Sequence, residues 1–438
     1  MWSKHARCVP LPLGPEKLCE EAAHRFVAIS HLVERGNFSW RALPEWAQHE
    51  VDEAITRWRA AADQGCARAQ STLGGIIENG AGVAQSDLEA AQLYRLAAAQ
   101  GDVNAQHSLG CFYQEGRGVV QSDAEAYQWL RKAAEQGDAC AQYRLGCSFD
   151  GARGVAQSDE EASYWYRKAA IQGFVDAQFN LGAQFESGCG VVQSDVEAAY
   201  WFRKAAEQGD ADAQYKMGHI FLSGCGVKKS HKEAARWFKQ AADQGKAAAQ
   251  FYMGTFCDRG VGVRQNNLDL VRWYQKAADQ GFAGAQFHLG SAFEEGRGVA
   301  KNDAEAARWY LMAADQGDAE AQCNLGCLFS EGRGVAQSYV EAMRWYRKAA
   351  GQGNVDAQCS LARMYEKGYG VAQSDSEALH WFIKAADQGD AAAQFNSGCM
   401  YEKGWGVEQS DVNAVQWYTK AADQGHAKAR RCLEILFK

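Results

Sequence analysis

The sequence predicts an all-α solenoid, in which pairs of helices stack one after another. The first observation is an Ala-Gln pair that recurs every 36 residues from Ala69 to Ala393, with an eleventh copy cut short at Ala429-Arg430. The second is an apolar pattern with helical spacing inside each copy. The third is the abundance of glycine (45 residues) beside only 4 prolines, which suits many helices that end in glycine turns. A fixed period of this length is typical of a repeat array.

Composition limits the classes of function. A chain of 438 residues would usually hold two to three domains, but a repeat array is exempt because each repeat packs only on its neighbours. The net charge is -8, from 46 basic and 54 acidic residues, and no basic block stands out. This balance argues against nucleic acid and anionic membrane surfaces as partners. No apolar stretch of about 20 residues predicts membrane insertion.

The N-terminal segment predicts a cytoplasmic protein. Met1 to Leu13 carries Lys4 and Arg7 but no apolar run of signal-peptide length. The 14 cysteines would remain thiols in that reducing compartment.

The first helix of a repeat is illustrated by the copy that starts at Ala105. Ala105, Leu109 and Tyr113 are spaced four apart and define one apolar face. Gly110 lowers helix propensity, and its recurrence predicts a helix that approaches too closely for a side chain. The segment 116–119 (Gly-Arg-Gly-Val) then predicts a turn with positive φ.

The second helix of the same repeat begins with a predicted capping box. The Ser122 oxygen is expected to accept from the N3 amide, while Glu125 reaches back to the Ser122 amide. The cap position holds serine or asparagine in all ten copies: Ser86, Ser122, Ser158, Ser194, Ser230, Asn266, Asn302, Ser338, Ser374 and Ser410. Gly137 is predicted to end this helix in the left-handed conformation.

The buried face of the second helix carries a recurring tryptophan. In the copy described, this face holds Ala126, Trp129, Leu130, Ala133 and Ala134, at helical spacing. We interpret the tryptophan series as core between repeats rather than as an aromatic cofactor site. The series comprises Trp129, Trp165, Trp201, Trp237, Trp273, Trp309, Trp345, Trp381 and Trp417.

The two ends differ from the repeats. An amphipathic helix is predicted from Leu18 to Val33, followed by a less regular join at 38–50 and a lone second helix at 53–65. The predicted organisation is an N-terminal helical cap and join at 1–52 and a repeat array at 53–425, which holds a half-unit and ten 36-residue repeats. A C-terminal capping helix at 426–438 completes it, because a polar end keeps a solenoid soluble.

These motifs resemble the Sel1-like repeat, a relative of the tetratricopeptide repeat. The shared pattern is Ala-x-Ala-Gln-x-x-Leu-Gly-x-x-Tyr/Phe-x-x-Gly-x-Gly-Val, then Glu-Ala-x-x-Trp-Tyr-x-x-Ala-Ala-x-x-Gly, and it covers about residues 53 to 438. The resemblance implies a right-handed superhelical solenoid of antiparallel helix pairs, with the first helix of each pair on the concave side. It also implies a role as an adaptor or assembly scaffold.

The resemblance leaves two other functions open. One is a secreted or envelope-associated effector that engages host or cell-wall components. The other, more remote, is a β-lactam-binding hydrolase of the cysteine-rich branch, in which a disulfide links the helices of a repeat. The positions expected to hold those cysteines are mostly alanine here, as at Ala133, Ala134 and Ala141, and the chain has no Ser-x-x-Lys motif.

By analogy with tetratricopeptide repeats, the predicted partner-binding surface lies on the first helices. We call it the first-helix face: the positions two, six and nine after the repeat alanine. Position two is aromatic in Tyr143, Phe179, Tyr215, Phe251, Phe287 and Phe395. Position nine is acidic in seven copies, among them Glu186, Asp258, Glu294, Glu366 and Glu402. The pattern predicts a protein or peptide partner with apolar and basic features, bound between Tyr143 and Phe287.

The alternative is that these aromatic rings pack on the adjacent first helix and that the acids are merely solvated. Opposite charge marks the second helices, as at Arg131-Lys132 and Arg347-Lys348, and we interpret it as a solvated face with weak local ion pairs.

The sequence predicts no enzyme, cofactor or metal site. Cys323 and Cys327 lie one turn apart, with Cys359 and Cys399 in the next two copies, but structural zinc sites need four converging ligands. The Gly-x-Gly loops follow helices and lack the third glycine of a dinucleotide-binding fingerprint. No histidine is paired with a nucleophile, so no catalytic residues are predicted.

Overall fold

The computed structural model describes residues 14–35, 39–40 and 42–436. The segment 1–13, on which the prediction about a signal peptide depends, lies outside the described residues, as does Phe38. The described part of the chain contains 23 helices and no strand, apart from an isolated bridge between Ser39 and Ala42. Among these helices, none is both long enough and apolar enough to cross a membrane.

The helices are numbered in chain order. They are α1 Pro15–Glu34, α2 Glu45–Asp63, α3 Ala67–Asn79, α4 Asp87–Ala99, α5 Val103–Glu115, α6 Asp123–Glu135, α7 Ala139–Asp150, α8 Asp159–Ile171, α9 Val175–Ser187, α10 Asp195–Glu207, α11 Ala211–Ser223, α12 His231–Asp243, α13 Ala247–Arg259, α14 Asn267–Asp279, α15 Ala283–Glu295, α16 Asp303–Asp315, α17 Ala319–Glu331, α18 Tyr339–Gly351, α19 Val355–Lys367, α20 Asp375–Asp387, α21 Ala391–Lys403, α22 Asp411–Asp423 and α23 Ala427–Leu436.

The chain divides into two compact units. The N-terminal unit comprises residues 1–213 and 225–228, and the C-terminal unit comprises 214–224 and 229–438. Within each unit, helices that follow each other in sequence pack together. In the pair α5 and α6, Gly110 faces Leu130, while the side chains of Gln106 and Gln136 are hydrogen-bonded at 2.8 Å. Residues early in α5 therefore meet residues late in α6, so the pair is antiparallel and the predicted all-α solenoid of helix pairs is confirmed.

The second helices begin at the predicted caps. In all ten repeats the serine or asparagine side chain accepts from a main-chain amide three residues on, as from Glu125 to Ser122. The other predicted hydrogen bond of the capping box, from the Ser122 amide to Glu125, is wrong. The Ser122 amide donates at 2.9 Å to the carbonyl of Tyr113, at the end of the first helix, and is not available to Glu125. The cap thus also fixes the turn between the two helices of a repeat.

The loop between the helices uses its two glycines differently. Gly116 ends α5 in the left-handed conformation, with φ 70°. Gly118, with φ 62°, lies against the start of α4 in the preceding repeat, where an added Cβ would come 2.1 Å from the carbonyl oxygen of Asp87. The predicted positive φ is confirmed, and the second glycine also allows consecutive repeats to touch through their backbones.

The recurring glycine inside the first helix also has the predicted role. A Cβ added to Gly254 would lie 2.5 Å from the ring of Tyr274 on the second helix of the same repeat. Eight other repeats have glycine at this position and a large side chain facing it. In the remaining repeat the residue is Ala362, which is fully buried in a cluster with Phe382. Close approach of the two helices therefore explains the conserved spacing of glycine and ring.

The tryptophans lie between repeats, as predicted. Trp345 is 3% exposed and packs in a cluster that joins Tyr310 of the preceding repeat to Leu325 of its own repeat. The more exposed members are covered by basic side chains: the Lys132 nitrogen lies 4.0 Å from the Trp129 ring centroid, and that of Lys420 lies 4.0 Å from Trp417. The basic face of the second helices therefore covers core tryptophans as well as facing solvent.

The N-terminal end differs from the sequence prediction. The predicted irregular join at 38–50 is wrong over its second half, because α2 begins at Glu45. The predicted lone second helix at 53–65 is also wrong, because α2 packs against α1. Arg25 pairs with Glu50, and Arg57 pairs with Glu21, so α1 and α2 form an antiparallel pair. Ten complete repeats thus follow one further helix pair, and α23 is the last helix of the described residues.

Candidate functional site

The aromatic residues of the first-helix face are all half-buried. Tyr143 and Phe179 belong to the N-terminal unit, and Tyr215, Phe251, Phe287 and Phe395 belong to the C-terminal unit. Each ring packs against the ring 23 residues later, on the second helix of its own repeat, as Phe287 does against Tyr310 with centroids 5.8 Å apart. The side chains are neither fully buried in the core nor free of it, so part of every ring remains at the surface.

Some of these rings also reach the next repeat. Phe251 lies 5.1 Å from Phe282, which precedes α15, and Tyr143 lies 5.0 Å from Phe174, which precedes α9. The predicted alternative, packing on the adjacent first helix, holds in part: the Phe251 ring is 5.7 Å from His288 of α15. Burial lowers the pKa of His288, which is stacked on the Tyr274 ring at 5.2 Å. This histidine is therefore a packing residue and remains neutral at pH 7.

The acidic residues of the first-helix face mostly have partners within the chain. The Tyr310 hydroxyl donates to Glu294 at 2.7 Å, and the Tyr418 hydroxyl donates to Glu402 at 2.6 Å. Together with the ammonium group of Lys403, this hydrogen bond lowers the pKa of Glu402. Glu366 is paired with its neighbour Lys367 at 2.8 Å. These carboxylates attract a basic partner less than the sequence predicts, because their charge is already compensated.

A second set of partners comes from the loop of the following repeat. Arg297, between the two loop glycines, pairs with Asp258 at 2.8 Å, and Arg333 pairs with Glu294 at 2.7 Å. Each bond joins side chains 39 residues apart, so it links consecutive repeats. Glu186 is exposed, whereas the other four predicted acids are half-buried. These arginine–carboxylate ion pairs join consecutive repeats. They also reduce the negative charge that Asp258 and Glu294 offer to a partner.

The glutamine of the Ala-Gln pair forms a polar ladder that the sequence pattern did not predict. Gln286 is 1% exposed; its amide nitrogen donates to the Ala278 carbonyl at 3.2 Å, and its oxygen accepts from Gln316 at 2.8 Å. The second bond recurs in all ten repeats. The signal was visible, since both glutamines recur every 36 residues. The two glutamine side chains of each repeat thus give each other hydrogen-bond partners, as buried polar groups require. The bond between them fixes the position of one helix of the repeat relative to the other.

The cysteines do not form a metal site in the part of the chain that is described, where no three potential ligands among histidine, cysteine, aspartate and glutamate come together. The thiols differ chemically, however. Burial raises the pKa of Cys359 to about 12. Cys327 instead has a lowered pKa, because its thiolate is stabilised by hydrogen bonds from Cys323 and from the Tyr346 hydroxyl, whose oxygen is 3.2 Å away.

Another thiol pair lies near the N-terminal end. The sulfur atoms of Cys19 in α1 and Cys66, which precedes α3, are 3.7 Å apart. Burial and the neighbouring Cys66 raise the pKa of Cys19 to about 12. Cys19 therefore packs against Cys66 as a neutral thiol.

The comparisons with known proteins agree with this architecture. The family model for the Sel1 repeat matches ten consecutive segments, which together run from residue 67 to residue 426 with only 139–140 unmatched. No curated protein sequence matches the chain.

Two solved structures are similar in both sequence and fold. The first is c5321, a protective antigen present in uropathogenic Escherichia coli strains that displays an SLR fold. It is 34% identical, with a TM-score of 0.81, over 92% of this chain and 88% of that chain. The second is a Sel1 repeat protein from Oxalobacter formigenes, also 34% identical, with a TM-score of 0.55, over 69% of this chain and 87% of that chain.

Proposed function

The chain belongs to the Sel1 repeat family, and on that basis we propose that it is a non-enzymatic protein-binding scaffold or adaptor that uses the first-helix face. The fold is commonly a scaffold for protein interaction. The observation that carries the proposal is the set of six half-buried rings at one repeat position, Tyr143, Phe179, Tyr215, Phe251, Phe287 and Phe395.

Half-buried rings suit recognition because they are already held in place. The Phe287 ring is fixed by Tyr310 at 5.8 Å and by His288 at 5.2 Å, so little side-chain freedom is left to lose on binding. Aromatic anchors of this kind dominate the energetics of many interfaces. The partner is accordingly a protein segment with apolar side chains.

The charges narrow the partner further. Asp258 and Glu294 are compensated by arginines of the following repeat, which leaves the apolar contacts as the main source of affinity. Because surface ion pairs contribute little each, we expect binding to depend only weakly on salt.

The experiment is affinity purification followed by mass spectrometry, with wild type beside two surface variants. The first combines Phe251→Ala with Phe287→Ala. The second, Ser291→Arg, adds bulk to the same face without removing a ring, and the sixth position of another repeat already holds an arginine, Arg363. The control combines Arg272→Ala with Arg308→Ala, whose side chains are 77% and 63% exposed on second helices.

A partner recovered by wild type and the control, but lost from both surface variants, supports the proposal. Each variant is first checked for native helix content and thermal stability. Equal recovery by all four folded proteins contradicts it, because binding would then not involve the first-helix face.

A second candidate is an exported protein that engages host or cell-wall components. It is favoured by the similarity to c5321, which is a protective antigen present in uropathogenic Escherichia coli strains. Cell fractionation decides between the two locations: recovery outside the cytoplasm favours the exported protein, and recovery in the cytoplasm favours the adaptor.

A further inference from the structure

The arginine between the two loop glycines has the same kind of partner in three repeats. Its guanidinium is neutralised by carboxylates of the preceding repeat. Arg117 is 2.9 Å from Glu78 and 2.9 Å from Asp87, Arg297 pairs with Asp258, and Arg333 pairs with Glu294. The carboxylate 39 residues before the arginine is common to all three pairs.

Arg153 occupies the same position without that carboxylate. The residue 39 positions earlier is Gln114. Asp123, which corresponds to Asp87, makes no ion pair with Arg153, and the described residues offer this exposed guanidinium no other carboxylate within 4 Å. The fourth loop arginine therefore carries an uncompensated charge.

A second arginine adds to this charge. The half-buried Arg144 lies on α7, three positions after the repeat alanine, where no other repeat has arginine. The equivalent residues are Thr72, Ser108, Asn180, Lys216, Tyr252, His288, Asn324, Ser360 and Asn396. Arg144 donates to the neutral oxygen of Gln114 at 3.0 Å and forms no ion pair within the described chain. Gln114 thus meets an arginine at the position where the three repeats described above have Glu78, Asp258 and Glu294.

Both arginines line one cleft within the N-terminal unit. It has a volume of about 350 Å³ and is bordered by Gln114 and by the rings of Tyr143 and Phe174. The two rings are 5.0 Å apart and form an apolar wall. Asp176, the one acid of the lining, is exposed and pairs with neither arginine, so the cleft carries an excess of positive charge.

We propose that this cleft binds an acidic side chain, aspartate or glutamate, of a partner polypeptide, with an apolar residue of the same segment against the ring wall. Guanidinium groups present paired donors that match a carboxylate, and the missing acid of this repeat is then supplied by the partner. The inference rests on the proposed function, because it assigns a chemical class of partner to one part of the first-helix face.

The test measures binding of a library of short peptides, acetylated and amidated so that only side chains carry charge. The proteins compared are wild type, Gln114→Glu and Arg144→Gln combined with Arg153→Gln. Gln114→Glu restores the acid found in the sister repeats and adds an ion pair, so it preserves the fold. Arg297→Gln is the matched control, because it removes a loop arginine that is already paired.

We expect wild type and Arg297→Gln to select peptides with an acidic residue next to an apolar one. Gln114→Glu and the double variant should bind those peptides roughly tenfold or more weakly, as expected for loss of a charge-assisted hydrogen bond.

Two outcomes overturn the inference: no acidic preference in wild type, or an unchanged preference in Gln114→Glu. Peptide binding without acidic preference would remove this inference alone. The proposed function fails separately, when recovery of a protein partner is unaffected by the surface variants on Phe251, Phe287 and Ser291.

Discussion

Among single residues, Ala152 shows how a repeat departs from its sisters. It has a φ of 53° and is the one non-glycine residue with positive φ in the described chain. The other nine repeats have glycine at this position, as at Gly116 with φ 70°. In this repeat the glycine has moved one place earlier, to Gly151, where φ is -94°. The Cβ of Ala152 therefore adds strain that the other loops avoid.

We expect Ala152→Gly to raise the free energy of unfolding by about 1 kcal/mol, because a left-handed conformation costs an L-residue about that much. Urea denaturation followed by circular dichroism measures the change. Gly116→Ala, at the equivalent position, should shift stability by a similar amount in the opposite direction. If neither variant alters the midpoint, the loop conformation carries no strain.

Cys327 is a second residue set apart by its surroundings. The Tyr346 hydroxyl and the Cys323 thiol donate to its sulfur and stabilise the charged form, which lowers its pKa. Burial raises the pKa of Cys111 to about 11 and that of Cys359 to about 12. First helices of one array thus hold thiols of different reactivity.

Near pH 7 we expect iodoacetamide to label Cys327 before Cys111 and Cys359, as followed by peptide mass spectrometry. Tyr346→Phe removes one donor to the thiolate. The pKa of Cys327 should then rise, and the labelling profile should move to higher pH. An identical profile in this variant would mean that the hydroxyl does not set the reactivity.

The helix pair is the element whose geometry is most constrained. Its two helices approach at the glycine inside the first helix, where the ring of the second helix occupies the space of a Cβ. In one repeat this position holds Ala362, which packs in a cluster with Phe382. The helix pair therefore tolerates a side chain as small as a methyl group there. The spacing of the backbones, rather than helix propensity, determines the residue.

Gly254→Ala should therefore lower the free energy of unfolding by about 1–3 kcal/mol through overpacking against Tyr274, despite the better helix propensity of alanine. Thermal and chemical denaturation provide the measurement. The control is Ala362→Gly, which creates a small void and should cost about 1 kcal/mol. A stabilised Gly254→Ala protein would show that propensity outweighs packing at this contact.

The elements were predictable from sequence to different degrees. Periodicity and caps such as Ser122 locate the second helices, because these signals are local. The start of α2 was missed because Pro44 precedes it and no side chain caps it. The pairing of Glu294 with Arg333 could not be predicted, since it depends on how two repeats meet across 39 residues. The sequence therefore did not predict which partners within the chain these acids have.

At the scale of the whole chain, stability comes from contacts between successive repeats. Helix α15 lies inside the array and is covered on both sides within its unit. Helix α23 is the last described helix, packs on α22, and exposes 64% of Ile435. We therefore expect α23 to open locally more often than α15.

Hydrogen exchange checks this expectation. Amides of α23 should exchange faster than those of α15, because α15 packs on both α14 and α16, whereas α23 packs on α22. Equal protection of both helices would indicate that the array opens as one cooperative body.

The most direct test of the scaffold is site-specific photo-crosslinking in the cells that produce the chain. A photoreactive phenylalanine analogue replaces Phe287 on the first-helix face or, as the control, Arg308 on a second helix. We predict a protein adduct from position 287 and none from position 308. An adduct from 308 alone would contradict the proposed surface, because the partner would then contact the second helices.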